Sequence, residues 1–517
     1  MATDPPKTFG AAAPVLPTAP SRPVHWYNLL AYGSNDVLGA GSMAVISTWI
    51  LIFYTSFCGL SAVQATIIFG VARVLDAFTS PLIGHVSDNI GRTWLGRKFG
   101  RRRFFILAAI PLLPSFAIMW VAGQSFWYYL VTYVLFKMVY AMEIIPYETL
   151  ASEMATDYKT KAKFAGARIL CGQCSAIAAA FLPAWLIAYL GPDSPDTYLY
   201  MGIIFSALFM GAAGLLYTFS WERQRPPELA EAEVHDKPTL GAAFAALYRS
   251  LFSTLRIRAF RLHLGMYLGG YISQDIYNAA FTYFVIFALA GSTAIVGQLV
   301  GVTYIVQLVA VVLAINFALR LSPAAAYRFA ALSFAIGVVI FLAMYAAGYT
   351  ATSALFWLPV VFAGLGRGAL NYIPWATYNY MADVDEIVTG RRREGAFAGV
   401  MTFVRKMSQA LAVILVGQVM GASGFVSKAT TQSPTAIAAI VGVLGAGTLA
   451  MLIFGSLVST RFRLDPRTHA ILLDEIERFR SGERQPADPE HAAVVEDLSG
   501  WSYDRLWGNN PVAGAQR

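Results

Sequence analysis

Residues 73–92 read RVLDAFTSPLIGHVSDNIGR, and this stretch carries two aspartates in different surroundings. Asp76 lies within a run that otherwise suits a helix in a membrane, whereas Asp88 lies where that run ends and a group of arginines begins. A charge at bilayer depth costs several kcal/mol, so such a residue is rare and generally lines a cavity. We therefore expect Asp76 to act at depth and Asp88 to act at the membrane surface.

The whole chain shares the apolar character of this stretch. Of its 517 residues, 57% are hydrophobic and 13% are charged, and the mean hydropathy is +0.55. A soluble chain of this length needs more charge to cover its surface, so the composition predicts an all-α membrane protein embedded in a lipid bilayer. Twelve apolar stretches are long enough to cross a bilayer, and we number them spans 1 to 12: residues 27–57, 62–86, 104–123, 126–153, 163–190, 198–220, 260–289, 295–318, 324–348, 353–382, 395–420 and 434–459.

The spans divide six and six around a polar segment. We predict a disordered cytoplasmic tail, an N-terminal six-helix bundle, a cytoplasmic linker with an amphipathic helix, a C-terminal six-helix bundle and a cytoplasmic tail with one short helix. These five parts cover residues 1–26, 27–220, 221–259, 260–460 and 461–517, and the short helix is expected near 468–482. Lysines and arginines concentrate in the loops after spans 2, 4, 8 and 10, so the positive-inside rule predicts cytoplasmic termini in the cell inner membrane. These loops explain the net charge of +8 without a nucleic-acid partner.

An internal repeat supports the organisation in two halves. Ile145–Thr149 in span 4 resembles Ile373–Thr377 in span 10, and each is followed by acidic residues, basic residues and Phe-Ala-Gly. Two similar halves, with a binding site between them near the middle of the membrane, are typical of transporters.

Four motifs in order resemble a known family. They are LDAFTSPLIGHVSD at residues 75–88, GRKFGRRRFFIL at 96–107, IPYETLASEMATDY at 145–158 and IPWATYNYMADVDEIVTGRRREGAFAGVMTFVRK at 373–406. Over residues 28–460 the chain resembles the glycoside–pentoside–hexuronide:cation symporters of the major facilitator superfamily, the group that includes melibiose permease. The resemblance implies the major facilitator fold, in which two six-helix bundles rock about a central cavity.

The resemblance also implies a cation or proton site around Asp76. Thr79 and Ser80 share its helix face, and Lys406 of span 11 matches the lysine that the family places near this site. Many relatives have a second aspartate at the position of Ser80, and its absence weakens a site for sodium, which prefers several oxygen ligands. We therefore expect proton coupling, or facilitated transport without coupling, rather than sodium coupling. The alternatives are a permanent, purely structural ion pair for Asp76 and a lysine that extends towards the membrane surface for Lys406.

Arg168 matches the arginine that the family places beside the substrate, and Glu143 is the acidic candidate on span 4. The sugar-binding carboxylates of melibiose permease fall at Ala40 and Ile144 in this chain, so galactoside specificity is not implied. An aromatic residue in a span is equally typical of the aromatic belts at membrane surfaces. Further polar and aromatic candidates for substrate binding are Gln173, Gln274, Asp275, Tyr277, Asn371, Trp375 and Tyr378.

The general superfamily motif G-x-x-x-D-x-x-G-R is present as Gly84, Asp88 and Arg92, with Gly91 between the last two. The resemblance implies a gate at the cytoplasmic end of span 2, which is held by charges and by the helix end. We expect Asp383 to play the related part in the second half.

These features predict a symporter that moves a sugar or glycoside by alternating access, coupled to H+ or less readily to Na+. We expect it to work as a monomer without a cofactor or a metal. An amphiphile such as a lysophospholipid or a sterol-like molecule is the alternative cargo, and a membrane-embedded transferase is the alternative of another class. The sequence has neither a pair of metal-ligating histidines nor a Walker-type glycine loop, which disfavours an enzyme and an ATP-driven pump.

Overall fold

Helices account for every predicted span. The computed structural model describes residues 22–90, 93–155, 158–191, 194–222, 252–318, 322–378, 380–390 and 393–510. Nine helical segments of this described part are long and apolar enough to cross a membrane, one in each of spans 2, 4, 5, 6, 8, 9, 10, 11 and 12. The unbroken helices are Ala62–Asn89 for span 2, Phe126–Met154 for span 4, Tyr158–Leu190 for span 5, Asp196–Phe219 for span 6, Arg258–Tyr283 for span 7, Thr293–Ala318 for span 8, Pro323–Ala346 for span 9, Trp357–Tyr378 for span 10 and Glu394–Ala422 for span 11.

Spans 1, 3 and 12 are interrupted, and span 7 continues beyond Tyr283 as the π-helical turn Phe284–Ala288. Span 3 consists of Arg103–Ala109, Ile110–Leu112 and Ser115–Ile118, because Pro111 and Pro114 each remove a backbone donor from the helix. Span 1 begins with Trp26–Ser34 and continues as Val37–Gly41, Ser42–Val45, Ile46–Ile50 and Phe53–Phe57; span 12 consists of Pro434–Gly442, Val443–Gly447 and Thr448–Ser459. Spans 1 and 12 share the sequence VLGAG, and in both it forms a widened π-helical turn.

The two predicted halves pack closely at the end opposite the arginine-rich loops. In the contact of span 2 with span 11, a Cβ atom placed on Gly417 would lie 1.8 Å from Thr66 Oγ1. In the contact of span 5 with span 8, a Cβ atom on Gly297 would lie 2.3 Å from the Cβ atom of Ala184. Small residues let membrane helices approach this closely, so the protein is closed at this end.

The predicted domain boundaries stay predictions. Residues 1–21, 223–251 and 511–517 lie outside the described residues, and with them most of the N-terminal tail and of the linker with its amphipathic helix. The described part of the linker contains only residues 221–222 and 252–259.

The C-terminal segment is docked on the protein. The short helix predicted near residues 468–482 is present as Pro466–Arg480, and a second helix, Pro489–Ser499, was missed by the sequence analysis. The signal for the second helix was there: Pro489 occupies its first turn, and the Asp488 carboxylate accepts a hydrogen bond from the His491 backbone N–H at 2.8 Å. Aspartate before proline is a typical helix start.

These tail helices contact the helix Met381–Thr389, which lies between spans 10 and 11. His469 Nε2 lies 2.8 Å from Asp383 Oδ2, and Arg480 forms an ion pair with Glu386. The described part of this segment, residues 461–510, is therefore folded against the loop that carries the second predicted gate.

Candidate functional site

The predicted coupling residues meet where span 2 contacts span 11. Lys406 Nζ lies 3.0 Å from Asp76 Oδ1 and 2.6 Å from Ser80 Oγ, so the lysine joins the two helices. Ser80 Oγ in turn donates a hydrogen bond to the Asp76 carbonyl at 2.7 Å. Asp76 is 3% exposed, whereas Thr79 is half-buried and has no hydrogen bond to this group in the described structure. The Lys406 ammonium thus lies beside the carboxylate, where a coupling cation would bind.

Two further basic residues surround Asp76. Arg73, one turn earlier on span 2, and Lys137 of span 4 act electrostatically on its carboxylate together with Lys406. Arg73 Nη2 and Lys137 Nζ contact the same atom, Met43 Sδ of span 1, at 3.3 and 3.4 Å. We call Arg73, Asp76, Lys137 and Lys406 the basic cluster, since it contains three basic side chains and one carboxylate.

A second group of charges lies between spans 1, 4 and 5. Arg168 Nη2 lies 2.9 Å from Glu148 Oε1, and Arg168 Nε lies 3.4 Å from Asp36 Oδ1. The guanidinium also covers the ring of Tyr147 at 5.3 Å. Glu143 is fully buried, and neither of its carboxylate oxygens has a hydrogen-bond partner in the described structure. Arg168 is thus already paired with two carboxylates, and Glu143 is the acidic group that lacks a partner here.

Polar candidates of the second half are connected by hydrogen bonds. Gln274 Nε2 donates to Asn371 Oδ1 at 3.0 Å, and Arg367 Nη2 donates to Asn278 Oδ1 at 2.8 Å. Asn371 Nδ2 lies 3.5 Å from Gln307 Oε1. Arg367 is 5% exposed and was not a candidate in the sequence analysis. This network holds Gln274 and Asn371 at fixed positions between spans 7, 8 and 10.

An aromatic group lies next to this network. Trp375 is 41% exposed, and its Nε1 donates to the Tyr271 hydroxyl at 3.1 Å. The ring of Tyr378 lies 6.0 Å from that of Trp375. Since the indole N–H is already bonded, the exposed part of Trp375 is apolar.

Gln173, on span 5, is half-buried, and its Oε1 has no hydrogen-bond partner in the described structure.

Two predicted substrate-binding residues have protein partners in this structure. Asp275 accepts two hydrogen bonds from Arg405, at 2.6 and 2.8 Å, and a third from Gln409 at 3.1 Å. Its carboxylate is therefore paired with span 11 in this structure, and its role in substrate binding stays a prediction. Tyr277 is 2% exposed and stacks on Phe281 with a centroid distance of 4.8 Å, so it belongs to the apolar packing of the second half.

The predicted gates stay predictions. Arg92 lies outside the described residues, as do the surroundings of Gly84 and the side chain of Asp88. In the second half, Arg393 Nε donates to Asp385 Oδ2 at 2.9 Å, and Asp383 contacts the tail through His469. Arg393 of this loop is thus paired with Asp385, which lies two residues after Asp383, the predicted gate residue.

We expect Arg405→Met to lower the free energy of unfolding by about 3–5 kcal/mol, because Asp275 would remain buried without its cation. The double variant Arg405→Met/Asp275→Leu should recover most of this loss, since both charges leave together. Thermal unfolding of the purified protein measures the effect. Arg467→Met is the matched control: its ion pair with Glu490 is exposed, so the melting temperature should change little. A double variant as unstable as Arg405→Met would contradict the prediction.

One group of side chains in the described residues has the spacing of a metal site, namely Asp474, Glu475 and His491 in the tail helices. Glu475 is fully buried and already bonds to His491 Nδ1 at 2.8 Å and to the Tyr503 hydroxyl at 2.5 Å. These bonds hold the two tail helices together, and we assign no metal to them.

Membrane helices, charged groups at depth and closely packed helix pairs are typical of a secondary transporter. The chain matches the family described as MFS/sugar transport protein over residues 31–465. It therefore belongs to that family, and it is a membrane transporter and not an enzyme.

Several relatives are similar over most of their length. The chain is 25% identical to the glucuronide carrier protein homolog of Escherichia coli (strain K12) over 423 residues, which are 80% of this chain and 87% of that protein. It is 26% identical to a putative sulfoquinovose importer of Salmonella typhimurium (strain LT2) over 479 residues, 87% of this chain and 93% of that protein.

Solved structures share the fold. An inward-facing, unoccupied bacterial homologue of the human lysosomal transporter Spinster gives a TM-score of 0.60 at 16% identity, covering 85% of this chain and 98% of that one. A D-xylose-proton symporter gives a TM-score of 0.56 at 17% identity, covering 84% and 97%.

Proposed function

We propose that the protein is a symporter of a sugar or glycoside that bears an acidic group, and that this cargo moves together with protons. It acts as a monomer in the cytoplasmic membrane with both termini inside, an orientation that the arginine-rich loops favour. The observation that carries the proposal is the basic cluster, where three basic side chains face one carboxylate.

The excess of positive charge favours an anionic cargo. Lys406 pairs with Asp76 at 3.0 Å, while the hydrogen-bond contact described for Arg73 and for Lys137 is the sulfur of Met43. Buried charges are normally paired, and a carboxylate or sulfonate would pair with these two. The names of two relatives, the glucuronide carrier protein homolog and the putative sulfoquinovose importer, refer to sugars with such groups.

The sugar part of the cargo is assigned to the aromatic group of span 10. The exposed part of Trp375 is apolar because its N–H is bonded to Tyr271, and such a surface suits the face of a pyranose ring. Gln274 and Asn371 lie in the same network and offer amide groups to hydroxyls.

Protons are preferred to sodium because of Lys406. Its ammonium lies between the Asp76 carboxylate and Ser80 Oγ, where a sodium ion would need the same oxygen ligands. Sodium would have to displace a lysine that already neutralises the carboxylate, whereas a proton needs only one lone pair.

The test compares two ligands that differ only at C6, methyl β-D-glucuronide and methyl β-D-glucoside. Charge-assisted hydrogen bonds should make the glucuronide bind at least about tenfold more tightly. Binding to the purified protein, and uptake into vesicles with an imposed pH or sodium gradient, measure the preference. Equal binding of the two ligands would reject the acidic cargo. Binding of lysophospholipid alone would favour the amphiphile, and accumulation driven by sodium alone would reject proton coupling.

A further inference from the structure

Lys137 is a buried lysine for which no carboxylate partner is described. It lies near the middle of span 4 and is 2% exposed. Its Nζ contacts Met43 Sδ at 3.4 Å and lies 4.5 Å from the centroid of the Tyr140 ring. No carboxylate oxygen of the described ranges comes within 4.0 Å of this nitrogen, since the ion pairs of those ranges do not include it. A thioether is a weak acceptor, so the amine has little to stabilise a positive charge.

The neighbouring charges increase this deficit. Span 2 presents Arg73 and Asp76 to Lys137, and span 11 presents Lys406. The single carboxylate among them is held by Lys406 at 3.0 Å, while Arg73 shares the Met43 sulfur with Lys137. Two cations therefore repel Lys137, and Asp76, the one carboxylate of the described residues that acts on it, is shared with Lys406. An added anion would change this balance more than any rearrangement of the existing groups.

We propose that Lys137 binds the acidic group of the cargo and takes up the transported proton in the same step; this inference rests on the proposed function. A proton from water forms the third N–H bond with the lone pair of Nζ, and the resulting ammonium pairs with the carboxylate or sulfonate. Proton and anion together add no net charge to the buried cluster, so each makes the binding of the other favourable. A lysine can do this because it can lose its proton when buried, whereas an arginine stays charged.

Lys406 and Lys137 have different tasks in this mechanism. Lys406 keeps Asp76 neutralised and links spans 2 and 11, whereas Lys137 changes its protonation with the cargo. When the site opens to the side with fewer protons, the N–H bond breaks, the proton returns to water and the anion leaves with it. One proton is then moved per acidic group, without sodium.

The experiment counts protons. Methyl β-D-glucuronide is titrated at pH 8 into the full-length purified protein, by calorimetry in two buffers with different ionisation enthalpies, with methyl β-D-glucoside as the neutral ligand. We expect the wild type to take up about one proton per glucuronide bound. Lys137→Arg should bind glucuronide without taking up a proton. Lys137→Gln should bind it about 30-fold or more weakly, as truncation of a buried charge pair does. Lys163→Arg, at an exposed lysine of span 5, should behave as the wild type.

The outcomes separate this inference from the proposed function. Glucuronide binding by the wild type without proton uptake would overturn the role of Lys137 as the proton acceptor. The proposal that the cargo is acidic would still hold. Proton uptake by Lys137→Arg equal to that of the wild type would place the proton on another group and would overturn it as well. If the wild type preferred the glucoside or bound neither sugar, the acidic cargo itself would fall, and this inference with it. The wild-type count needs no variant, so a misfolded variant cannot hide a failure.

Discussion

Asp76→Asn is expected to reduce uptake against a concentration gradient by at least about 100-fold. Removal of one partner from a buried ion pair costs about 3–5 kcal/mol, and each 1.4 kcal/mol corresponds to a factor of about ten. In this protein the substitution would leave Arg73, Lys137 and Lys406 around a neutral amide, without the one carboxylate that acts on all three. Uptake of labelled glucuronide into vesicles with an imposed pH gradient measures the loss.

Two further variants separate coupling from stability. Asp76→Asn/Lys406→Met removes both members of the ion pair, so its melting temperature should lie closer to that of the wild type while accumulation stays lost. Asp497→Asn breaks the pair between Arg258 and the tail, a partly exposed contact, and should leave accumulation nearly unchanged. Wild-type accumulation by Asp76→Asn would remove this carboxylate from the coupling mechanism.

About half of the basic cluster could be predicted from the sequence. Asp76 could be predicted as a functional residue because it is a charge in an apolar span. Lys406 could be predicted from the family resemblance. Lys137 carries the same signal, since it is a lone charge in the apolar first part of span 4, and the sequence analysis missed it. The convergence of Arg73 and Lys137 on Met43 could not be predicted, because it depends on how spans 1, 2 and 4 pack against one another.

Asp275 has a partner that could not be predicted from the sequence. The charge in span 7 predicts a substrate ligand. Arg405 precedes Lys406 on span 11 and points about 100° away from it. That rotation directs Arg405 towards span 7, where it binds Asp275 with two hydrogen bonds. Arg405 and Lys406 are adjacent in the sequence, but Arg405 pairs with span 7 and Lys406 pairs with span 2. These pairings depend on how span 11 packs between spans 2 and 7.

The helix positions were easier to predict than the tail. The spans are set by length and hydrophobicity, which the sequence contains directly. Polar helices such as Pro489–Ser499 lack that signal and depend on contacts made after folding. Its Val495 and Leu498 are buried against the rest of the protein. The sequence does not indicate which surface covers these two side chains.

Gly417→Val is expected to reduce transport by roughly 5- to 150-fold. Overpacking costs about 1–3 kcal/mol, and an energy of this size shifts the equilibrium between the open and closed conformations by such a factor. Any Cβ atom at residue 417 would lie 1.8 Å from Thr66 Oγ1 and 2.7 Å from Thr66 Cβ. Rotation of the threonine side chain moves the first atom but not the second, so spans 2 and 11 must separate. Alternating access requires this end to close in one half of the cycle, and the variant should remain open there.

Cys58 reports on that opening, because it lies next to Gly59, which Lys428 covers from the loop after span 11. Cys58 is half-buried, and a membrane-impermeant maleimide should label it faster in Gly417→Val, in a background with Cys171→Ser and Cys174→Ser. Gly211→Val on span 6 is the matched control, since a Cβ atom there meets nothing within 4 Å. Thr66→Gly combined with Gly417→Ala should restore transport, because the added methyl group then takes the space of the removed side chain. Wild-type transport and labelling by Gly417→Val would mean that this contact does not limit the conformational cycle.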